Sequence, residues 1–522
     1  MFLPIELRRL LVVSLFGLLS GSVYAADAGS LSTALELIQS KDLRKHVTVL
    51  ASDTLEGREA GSRGGRAAGV YLIEQLQKFT VTTGGTGKNY YQHFGADYRN
   101  IIAVLRGSDP RLKQEYILVG AHYDHVGYGN SNNSFGPTGH IHNGADDNAS
   151  GTAGLLELIE ALSSLNPRPK RSILFAFWDA EEKGLLGSEH WIRHPTVPLS
   201  RVRLLINFDM IGRLRNNTAE IYGVRTAPGL RRMISEQNYG FNLHFDFNWD
   251  NIRNSDHYPF FQRRIPFLMP HTRKHADYHR PSDDIDKLNL SGIQRLVRLM
   301  FRTVYAAAEK PKLPKFRPSS FQEDQDDRRR LAAGLSAESG RLGVSWRRKP
   351  DGHVTLTAVN PGTPAYAAGL KGGDRILEFG EHRTDGESDF RTLVLSASNP
   401  VVVVVEREDA QEPLKFTVRL KGKPRRFGIA WRVDAAEPGC VILTKVGSGS
   451  PGDIAGLRVN DRIHAIAGQT FTSNSEFHRL LSSPSDVQNF VVETRGQIRT
   501  VQVKLLPRPN PKPVKARKPG SD

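Results

Sequence analysis

Residues 116–125 read YILVGAHYDH, an apolar run of strand length that ends in two histidines and an aspartate. Two later apolar runs end in a similar way, since residues 172–177 are followed by WDAEE and residues 204–208 by Asp209. Amphipathic stretches of helix length separate these runs. The alternation predicts an α/β domain with a mixed, mostly parallel sheet flanked by helices.

The same pattern gives the bounds of the predicted elements. Strands are predicted at 116–121, 172–177, 204–208 and 265–269, and helices at 64–78, 151–165 and 290–309. In open sheets of this class, ligands bind beyond the carboxyl ends of the strands. The polar residues that follow three of these strands are therefore expected to meet at one edge of the sheet.

Two further segments bring acids and histidines toward that edge. The turn NGADDNASG, 143–151, leads into an apolar helix, and the loop HTRKHADYHRP, 271–281, follows the last predicted strand. Polar clusters at the edge of a core are costly to bury unless they are satisfied together, and a bound metal satisfies them. The chain has a single cysteine, Cys440, so histidines and carboxylates must hold any metal.

Seven stretches carry a resemblance to a known family. They read LASDTLEGREAGSRGGRAAGVYL, ILVGAHYDHVG, HNGADDNASGTAGLLEL, ILFAFWDAEEKGLLGSEHW, INFDMIGR, SDHYPFFQRRIPFL and HADYHRPSDDIDKLN. In this order they are similar to the co-catalytic zinc exopeptidase family, of which aminopeptidase Y and the bacterial leucyl aminopeptidases are typical. The resemblance covers residues 41–308, and it implies a phosphorylase/hydrolase-like fold and a di-zinc peptidase domain over residues 26–309.

The resemblance also implies which residues hold the two zinc ions. The implied metal ligands are His122, Asp146, Glu182, Asp209 and His279. Asp146 is expected to bridge the two ions and to precede a cis peptide bond to Asp147. Glu181 is the implied general base, and Asp124 is expected to orient His122.

These residue types suit hydrolysis. Zinc binds nitrogen and oxygen ligands in open sites, and two ions roughly 3.5 to 4 Å apart lower the pKa of a shared water toward about 7. Glu181 is adjacent to a ligand in the sequence but is not itself a ligand. It is therefore able to take the proton of that water and to pass it to the leaving amine.

Three more residues are expected near the substrate. Tyr278, beside His279, is a candidate substrate or oxyanion contact, and Asp256 lies in a segment that resembles part of the family's substrate cleft. Where many relatives have Thr-Gly, this chain has Thr272 and Arg273. We expect Arg273 to narrow the pocket or to favour an acidic group on the substrate.

The first 25 residues have the pattern of a secretory signal. Arg8 and Arg9 precede the apolar run 10–19, and VYA at 23–25 offers a cleavage site. The protein is therefore expected to be exported, to the periplasm or the medium. No other stretch approaches the roughly 20 apolar residues that a membrane span needs, so no integral membrane segment is expected after cleavage.

The net charge of +16 does not by itself predict a nucleic-acid partner. Much of the excess lies in residues 310–317, 328–330 and 508–518, outside the predicted cores. Blocks of like charge between domains are usually solvated. Residues 310–337 are therefore predicted to be a linker and residues 508–522 a basic disordered tail, with no nucleic acid among the partners.

The C-terminal part of the chain contains an internal repeat. RLGVSW at 341–346 recurs as RFGIAW at 426–431, and AGL followed by DRI recurs at the same spacing. Two copies of a module of roughly 85 residues are predicted. Both copies resemble PDZ domains, which are small β-barrel modules, and they cover residues 338–422 and 425–507.

The PDZ resemblance implies that each module captures the C-terminal carboxylate of a peptide, which adds to the sheet as a strand. The implied carboxylate loops are Leu342, Gly343 and Val344 in the first module and Phe427, Gly428 and Ile429 in the second. Arg341 and Arg426 are expected to help to hold the carboxylate. Alternatively, one or both modules have an empty groove and serve only in packing.

The sequence thus favours an exported, zinc-dependent metallopeptidase that acts as an aminopeptidase on peptides or proteins, with PDZ modules that recruit partners or substrates. Three alternatives stay open. The first is a glutaminyl cyclase-like acyltransferase, which uses the same scaffold with one zinc ion. The second is a carboxypeptidase or dipeptidase on this scaffold. The third is a non-catalytic binding protein that relies on its PDZ modules alone.

Overall fold

The computed structural model describes residues 28–95, 97–333, 341–385, 390–422, 427–447, 450–482 and 485–505. The predicted signal at 1–25 and the predicted tail at 508–522 lie outside these residues. The described chain forms two compact units, of which the second begins at Asp326. Within the described residues, no helix combines the length and the apolar character that a membrane crossing needs.

The first unit is an α/β domain. Its strands are β1 (Thr82–Thr83), β2 (Tyr91–Phe94), β3 (Tyr98–Leu105), β4 (Tyr116–His122), β5 (Ser172–Trp178), β6 (Val202–Asn207), β7 (Thr218–Tyr222), β8 (His244–Phe247) and β9 (Phe267–His271). Its helices are α1 (Ala28–Leu37), α2 (Ser40–Leu50), α3 (Arg63–Leu76), α4 (Gly151–Ser163), α5 (Leu186–Arg193), α6 (Leu230–Gln237), α7 (His257–Gln262) and α8 (Leu290–Glu309). Single turns occur at Asp53–Arg58, Thr86–Lys88, Leu112–Gln114, Ala145–Ser150, Leu199–Arg201, Ile285–Lys287 and Pro318–Phe321.

The nine strands form one mixed sheet in the order β1-β3-β5-β4-β6-β9-β7-β8, and β2 also pairs with β3. The four central strands, β5, β4, β6 and β9, run parallel. Strands β4 and β5 are buried along their whole length, which explains why they appear in the sequence as continuous apolar runs. Their carboxyl ends share one edge, as the sequence pattern predicts.

Apolar layers cover both faces of the sheet. One face packs against helices α1, α2, α3, α4 and α8. On the other face, the ring of Trp178 lies 6.1 Å from Trp191 and 5.8 Å from Phe260, measured between ring centroids. A Cβ atom at Gly120 would lie 2.5 Å from Nε1 of Trp178, so glycine at this position leaves room for the indole.

The sequence-predicted elements agree with the structure to within a few residues. Helix α8 has the predicted bounds, and the strand predicted at 265–269 begins two residues later, at Phe267. The predicted linker differs more. Leu313 is buried, and Phe316 and Phe321 pack on Phe261 at centroid distances of 5.8 and 4.5 Å. Because these three apolar side chains dock on the first unit, residues 310–325 belong to it.

The second unit contains helix α9 (Gln325–Ala332), which starts at the boundary, and two antiparallel modules. The first module contains β10 (Val344–Arg348), β11 (Val354–Val359), α10 (Pro364–Ala367), β12 (Arg375–Phe379), β13 (His382–Arg383), α11 (Phe390–Ser396), β14 (Val401–Glu406) and β15 (Leu414–Val418). The second contains β16 (Ile429–Arg432), β17 (Val441–Val446), α12 (Pro451–Ile454), β18 (Arg462–Ile466), β19 (Gln469–Thr470), α13 (Asn474–Leu481), β20 (Val487–Thr494) and β21 (Gln497–Lys504). Each module has six strands and its own apolar core, which confirms the predicted repeat.

Candidate metal centre and peptide grooves

Acidic and imidazole side chains converge at the carboxyl edge of the central strands. They form two groups, in each of which one nitrogen or oxygen atom per residue lies within 4.8 Å of the others. The first group is His122, Glu181 and Asp209, and the second is His125, Asp147 and Glu182. Strand order explains the convergence, because His122 ends β4, the two glutamates follow β5, and Asp209 follows β6.

The carboxylate of Asp147 lies between two imidazoles. Its Oδ1 is 3.4 Å from Nε2 of His122, and its Oδ2 is 3.1 Å from Nε2 of His279. On the outer sides, Oδ1 of Asp209 is 3.6 Å from Nε2 of His122, and Oε2 of Glu182 is 3.2 Å from Nε2 of His279. The arrangement offers two sets of donors that share one central carboxylate.

Asp146 does not face this cluster. Its Oδ1 accepts hydrogen bonds from the backbone N–H of Gly212 at 2.6 Å and from the hydroxyl of Ser150 at 3.0 Å. Its Oδ2 lies 3.1 Å from Nε2 of His275. The cis peptide bond expected between Asp146 and Asp147 is found one residue later, between Asp147 and Asn148, so that expectation is wrong.

The backbone of the turn explains which aspartate faces the cluster. Gly144 has a φ of +53°, and a Cβ atom there would lie 2.1 Å from the carbonyl oxygen of Asp147. Downstream, Asp283 accepts hydrogen bonds from the backbone N–H groups of Asp146 and Asp147, at 2.9 and 3.1 Å. The turn is therefore held by groups that a local sequence motif does not include.

Asp124 contacts both His122 and the glutamate pair. Its Oδ1 lies 3.8 Å from Nδ1 of His122. The same carboxylate accepts hydrogen bonds from the backbone N–H groups of Glu181 and Glu182, at 3.0 and 3.3 Å. It therefore fixes the turn that carries the two glutamates as well as lying beside the His122 ring.

The two adjacent glutamates have pKa values shifted in opposite directions. Burial raises the pKa of Glu181 well above its usual range; His122 opposes this increase, and the nearby charge of Glu182 adds to it. Burial and Asp147 also act to raise the pKa of Glu182, but the close imidazoles of His125 and His279 hold it at about 2. Such a divergence is typical of one carboxyl that exchanges protons beside another that stays ionised.

Neither His125 nor Asp147 was predicted from the sequence to be a metal ligand, and both belong to the cluster. Nδ1 of His125 lies 2.8 Å from Oε1 of Glu182. The position of His125 three residues after His122, on the same strand exit, is the one signal in the sequence for it. His142, another histidine near these segments in the sequence, belongs to neither group. Its Nδ1 contacts the carbonyl oxygen of His140, and its Nε2 lies 2.8 Å from the hydroxyl oxygen of Ser134.

A cavity opens over the cluster. It is lined by His122, Asp147, Glu181, Glu182, Asp209, Met210, Asn254, Met269, His271, Lys274 and Tyr278. Tyr278 is thus brought to the site, stacked on His279 at a centroid distance of 4.0 Å. Asp256 is fully buried and does not line the cavity, and burial raises its pKa to about 7.

The expected influence of Arg273 on the pocket does not fit its position. Its guanidinium pairs with Glu220 at 3.2 Å and with Asp246 at 2.6 Å, and the side chain does not line the cavity. The next residue, Lys274, lines it instead, with Nζ 4.0 Å from the centroid of the Tyr278 ring. The ion pairs account for the difference, because they draw Arg273 toward strands β7 and β8.

The donor set of the cluster fits zinc. Nε2 of His279 is buried and lies within 3.2 Å of two carboxylate oxygens, yet neither contact has hydrogen-bond geometry. A bound cation requires nitrogen and oxygen atoms that lie close together with no hydrogen bond between them, as these atoms do. Imidazole and carboxylate donors are the ligands that zinc binds in catalytic sites.

Both predicted PDZ grooves have an open edge strand. Strands β10 and β16 each pair with one neighbour within their sheet, β11 and β17 respectively. Before them, Gly343 and Gly428 have φ values of +81° and +66°, which L residues rarely adopt. A Cβ atom at Gly428 would lie 2.0 Å from Cβ of Ser450, so the second loop can hold only glycine without a shift.

The groove of the second module has a volume of about 560 Å³. Its lining residues are Ile429, Ala430, Trp431, Arg432, Val433, Asn474 and His478. The indole N–H of Trp431 donates to Oδ1 of Asn474 at 2.9 Å and so joins strand β16 to helix α13.

The predicted role of Arg341 is not supported by its contacts. Its guanidinium donates to the carbonyl oxygens of Val394, Leu395 and Ala397, at 2.7, 2.9 and 3.0 Å. It therefore satisfies the C-terminal carbonyls of helix α11 and is not directed at a ligand. Arg426 lies outside the described residues.

Parts of this chain are similar to known proteins. Residues 100–304 match peptidase family M28, and residues 340–420 and 442–492 each match a PDZ domain. Aminopeptidase YwaD of Bacillus subtilis is 32% identical over 227 residues, which cover 42% of this chain and 46% of that protein. Leupeptin-inactivating enzyme 1 of Streptomyces exfoliatus is 27% identical over 270 residues, which cover 50% and 57%. The chain thus spans about half the length of these curated relatives.

Among solved structures, the Legionella pneumophila LapA aminopeptidase matches with a TM-score of 0.46 and 22% identity, over 54% of this chain and 74% of that one. The family match covers the strands and loops that carry the acidic and imidazole cluster, and the PDZ matches cover the two antiparallel modules. The chain therefore carries a peptidase family M28 domain, followed by two PDZ domains.

Proposed function

We propose that this protein is a zinc-dependent aminopeptidase that releases N-terminal residues from peptides or proteins. The observation that carries the proposal is the carboxylate of Asp147, which lies between His122 and His279. Asp209 and Glu182 complete the two donor sets. In this proposal Asp147 takes the bridging role that the sequence motif suggested for Asp146, and the other four ligands stay as predicted.

The residues divide the chemistry between them. Zinc bound by the cluster supplies a Lewis acid for the carbonyl oxygen and lowers the pKa of water. Glu181 accepts a proton from the attacking water, whose oxygen forms a bond to the carbonyl carbon. The bond from carbon to nitrogen then breaks, and Glu181 returns the proton to the leaving amine. Asp124 holds the backbone N–H groups of the glutamate turn throughout.

The names of the relatives and the charge of the site both support an aminopeptidase. Aminopeptidase YwaD is one such relative. The cluster concentrates carboxylates at the cavity, and a substrate with a free ammonium group complements them. The two donor sets that share Asp147 favour two ions and hydrolysis over a one-zinc cyclase. Export remains our prediction from residues 1–25.

A carboxypeptidase or dipeptidase is the second candidate, and one observation favours it. Lys274 lines the cavity with its ammonium group 4.0 Å from the Tyr278 ring centroid. A cation in this place can bind a carboxylate at the far end of a short substrate. The choice between the two candidates depends on which end of the substrate must be free.

Zinc content and substrate blocking test the proposal together. We expect purified protein to contain close to two zinc ions per chain by elemental analysis. We also expect it to hydrolyse amino-acid amides that have a free amino group. Dialysis against a chelator should abolish the activity, and added zinc should restore it. N-acetylation of the substrate should prevent cleavage, whereas amidation of its C-terminus should not. Cleavage of N-blocked peptides with a free C-terminus would establish the second candidate instead.

For the PDZ domains we propose that the second groove binds the free C-terminus of a peptide along strand β16. Gly428→Ala should weaken the binding of such a peptide by at least about tenfold, because the new Cβ atom would collide with Ser450 beside the proposed carboxylate loop. Trp431 lines the groove, so its fluorescence reports binding directly.

Gly468→Ala is the matched control for this experiment. Gly468 also has a positive φ, of +76°, but a Cβ atom there meets nothing within 4 Å. It should bind peptide as the unsubstituted protein does, and both variants should hydrolyse small amides at an unchanged rate. Equal binding by both variants, or binding of C-terminally amidated peptides, would contradict the carboxylate loop.

A further inference from the structure

Residues 55–59 take no part in the proposed chemistry, yet they contact the loop that follows the proposed ligand His122 and the segment that leads into the Asp147 turn. The backbone N–H of His125 donates to the carbonyl oxygen of Arg58 at 3.2 Å, and that of Gly127 donates to Gly57 at 3.1 Å. A Cβ atom at Gly57 would lie 2.5 Å from the carbonyl oxygen of Gly127 and 2.6 Å from that of His142. The segment is therefore packed backbone to backbone against both loops.

The backbone of this segment has an uncommon conformation. Glu56, Gly57 and Arg58 have successive φ values of +50°, +68° and +50°. L residues adopt this left-handed region rarely, and when they do so in folded proteins the surrounding structure compensates for the strain. Here the conformation directs the Arg58 side chain inward, beneath the cluster.

Arg58 is 1% exposed, and its guanidinium contacts carbonyl oxygens from separate parts of the chain. Nε donates to Tyr123 at 3.0 Å, next to the proposed ligand His122. The terminal nitrogens donate to Asn143 at 2.6 Å and to Gly144 at 3.0 Å, in the turn that carries Asp147. One side chain therefore ties the exit of strand β4 to the Asp147 turn.

Arginine suits this position for two reasons. Its planar fork presents several N–H donors at fixed angles, so it can bind carbonyl groups of two loops at once. Its charge also lies near the carboxylates of Asp124, Asp147 and Glu182, whose effect partly offsets the burial that lowers its pKa to about 10. The guanidinium thus stays protonated at neutral pH beneath an acidic cluster.

We propose that Arg58 is a positioning residue for the zinc centre, which fixes the separation between the loop after β4 and the Asp147 turn. The inference rests on the proposed function, since it assigns a role toward zinc. With the two loops held by one guanidinium, the ligands on both are in place before an ion binds. Groups that orient metal ligands in this way typically change metal affinity by roughly 10- to 100-fold when they are replaced.

The test compares Arg58→Met and Arg58→Lys in the full chain. Zinc affinity is measured by competition with a chromophoric chelator, and kcat and KM are measured on an amino-acid amide. We expect Arg58→Met to bind zinc at least about tenfold more weakly and to lose kcat with KM changed less than about twofold. Arg58→Lys keeps the charge but loses the fork, so it should fall between Arg58→Met and the unsubstituted protein.

Arg171→Met is the matched control. Arg171 is also 1% exposed and donates to carbonyl oxygens, those of Ala307 and Ala308 among them. It precedes β5 at the strand's opposite end, roughly 20 Å from the glutamates that follow it. This control should lower the melting temperature of the zinc-free protein without changing zinc affinity.

Two outcomes would overturn the inference. Unchanged zinc affinity in either Arg58 variant would do so, as would an equal loss of affinity in Arg58→Met and Arg171→Met. If a Met variant does not fold, the Arg58→Lys and Arg171→Lys pair decides by the same comparison. Failure of the unsubstituted protein to bind zinc would instead refute the proposed function, and the two failures are thus distinguishable.

Discussion

Glu181→Gln should keep close to two zinc ions per chain and lose at least about 100-fold in kcat, the loss expected when a general base is removed. Glutamine has nearly the shape of glutamate but cannot accept the proton of the attacking water. In the proposed centre the ligands are His122, Asp147, Asp209, Glu182 and His279 and not Glu181, so the substitution leaves the shared carboxylate and its partners in place. Elemental analysis and steady-state kinetics on the same preparation check both halves of the expectation.

The pH dependence of the reaction provides a second measurement on the same residue. Burial raises the pKa of Glu181 above its usual range. The ionised form is needed to accept a proton, so kcat/KM should fall as the pH drops through that raised pKa. The fall should therefore begin at a higher pH than it would for an exposed glutamate, and Glu181→Gln should remove it from the profile.

Glu182→Gln is the contrasting variant on the neighbouring residue. Glu182 lies 3.2 Å from Nε2 of His279 and 2.8 Å from Nδ1 of His125, in the second donor group. Its replacement should cause the loss of zinc as well as the loss of activity. If Glu181→Gln retained near-normal turnover, or lost zinc as Glu182→Gln does, the assignment of Glu181 as the proton acceptor would be wrong.

Much of the fold follows from local sequence patterns. Strands β4 and β5 are buried on both faces, so their apolar runs are continuous, and the polar residues that end them mark the sheet edge unambiguously. Helix α8 has buried apolar residues at helical spacing along its length, and it has its predicted bounds. The linker was harder to predict, because Leu313 and two phenylalanines pack within a segment that is otherwise charged.

The site was predictable except where distant residues decide the local geometry. His122 ends a strand and the glutamates follow one, so their placement needs only the order of the strands. The Asp-Asp turn has no regular periodicity, and its orientation depends on a carboxylate at Asp283 and on the conformation of Gly144. Arg341 illustrates the same difficulty, since its partners are carbonyl groups more than fifty residues away in the sequence.

Asp147→Asn and Asp146→Asn should therefore differ sharply, although the two residues are adjacent. In the proposed centre, Asp147 supplies both oxygens of the shared carboxylate, and an amide can offer only one oxygen and no charge. We expect Asp147→Asn to lose at least one zinc ion per chain and at least about 1,000-fold in kcat/KM. A loss of that size corresponds to about 4 kcal/mol of transition-state stabilisation.

Asp146→Asn is the control that the chain itself provides. Oδ1 of Asp146 accepts hydrogen bonds from Gly212 and Ser150, and the amide oxygen of asparagine can accept both. We expect zinc content to stay near two and kcat/KM to fall by less than about tenfold, through the altered contact with His275. The reverse result, with zinc lost from Asp146→Asn and retained by Asp147→Asn, would return the bridging role to Asp146. It would also mean that the turn rearranges when the ions bind, because in the present backbone the Asp146 side chain is directed away from both imidazoles.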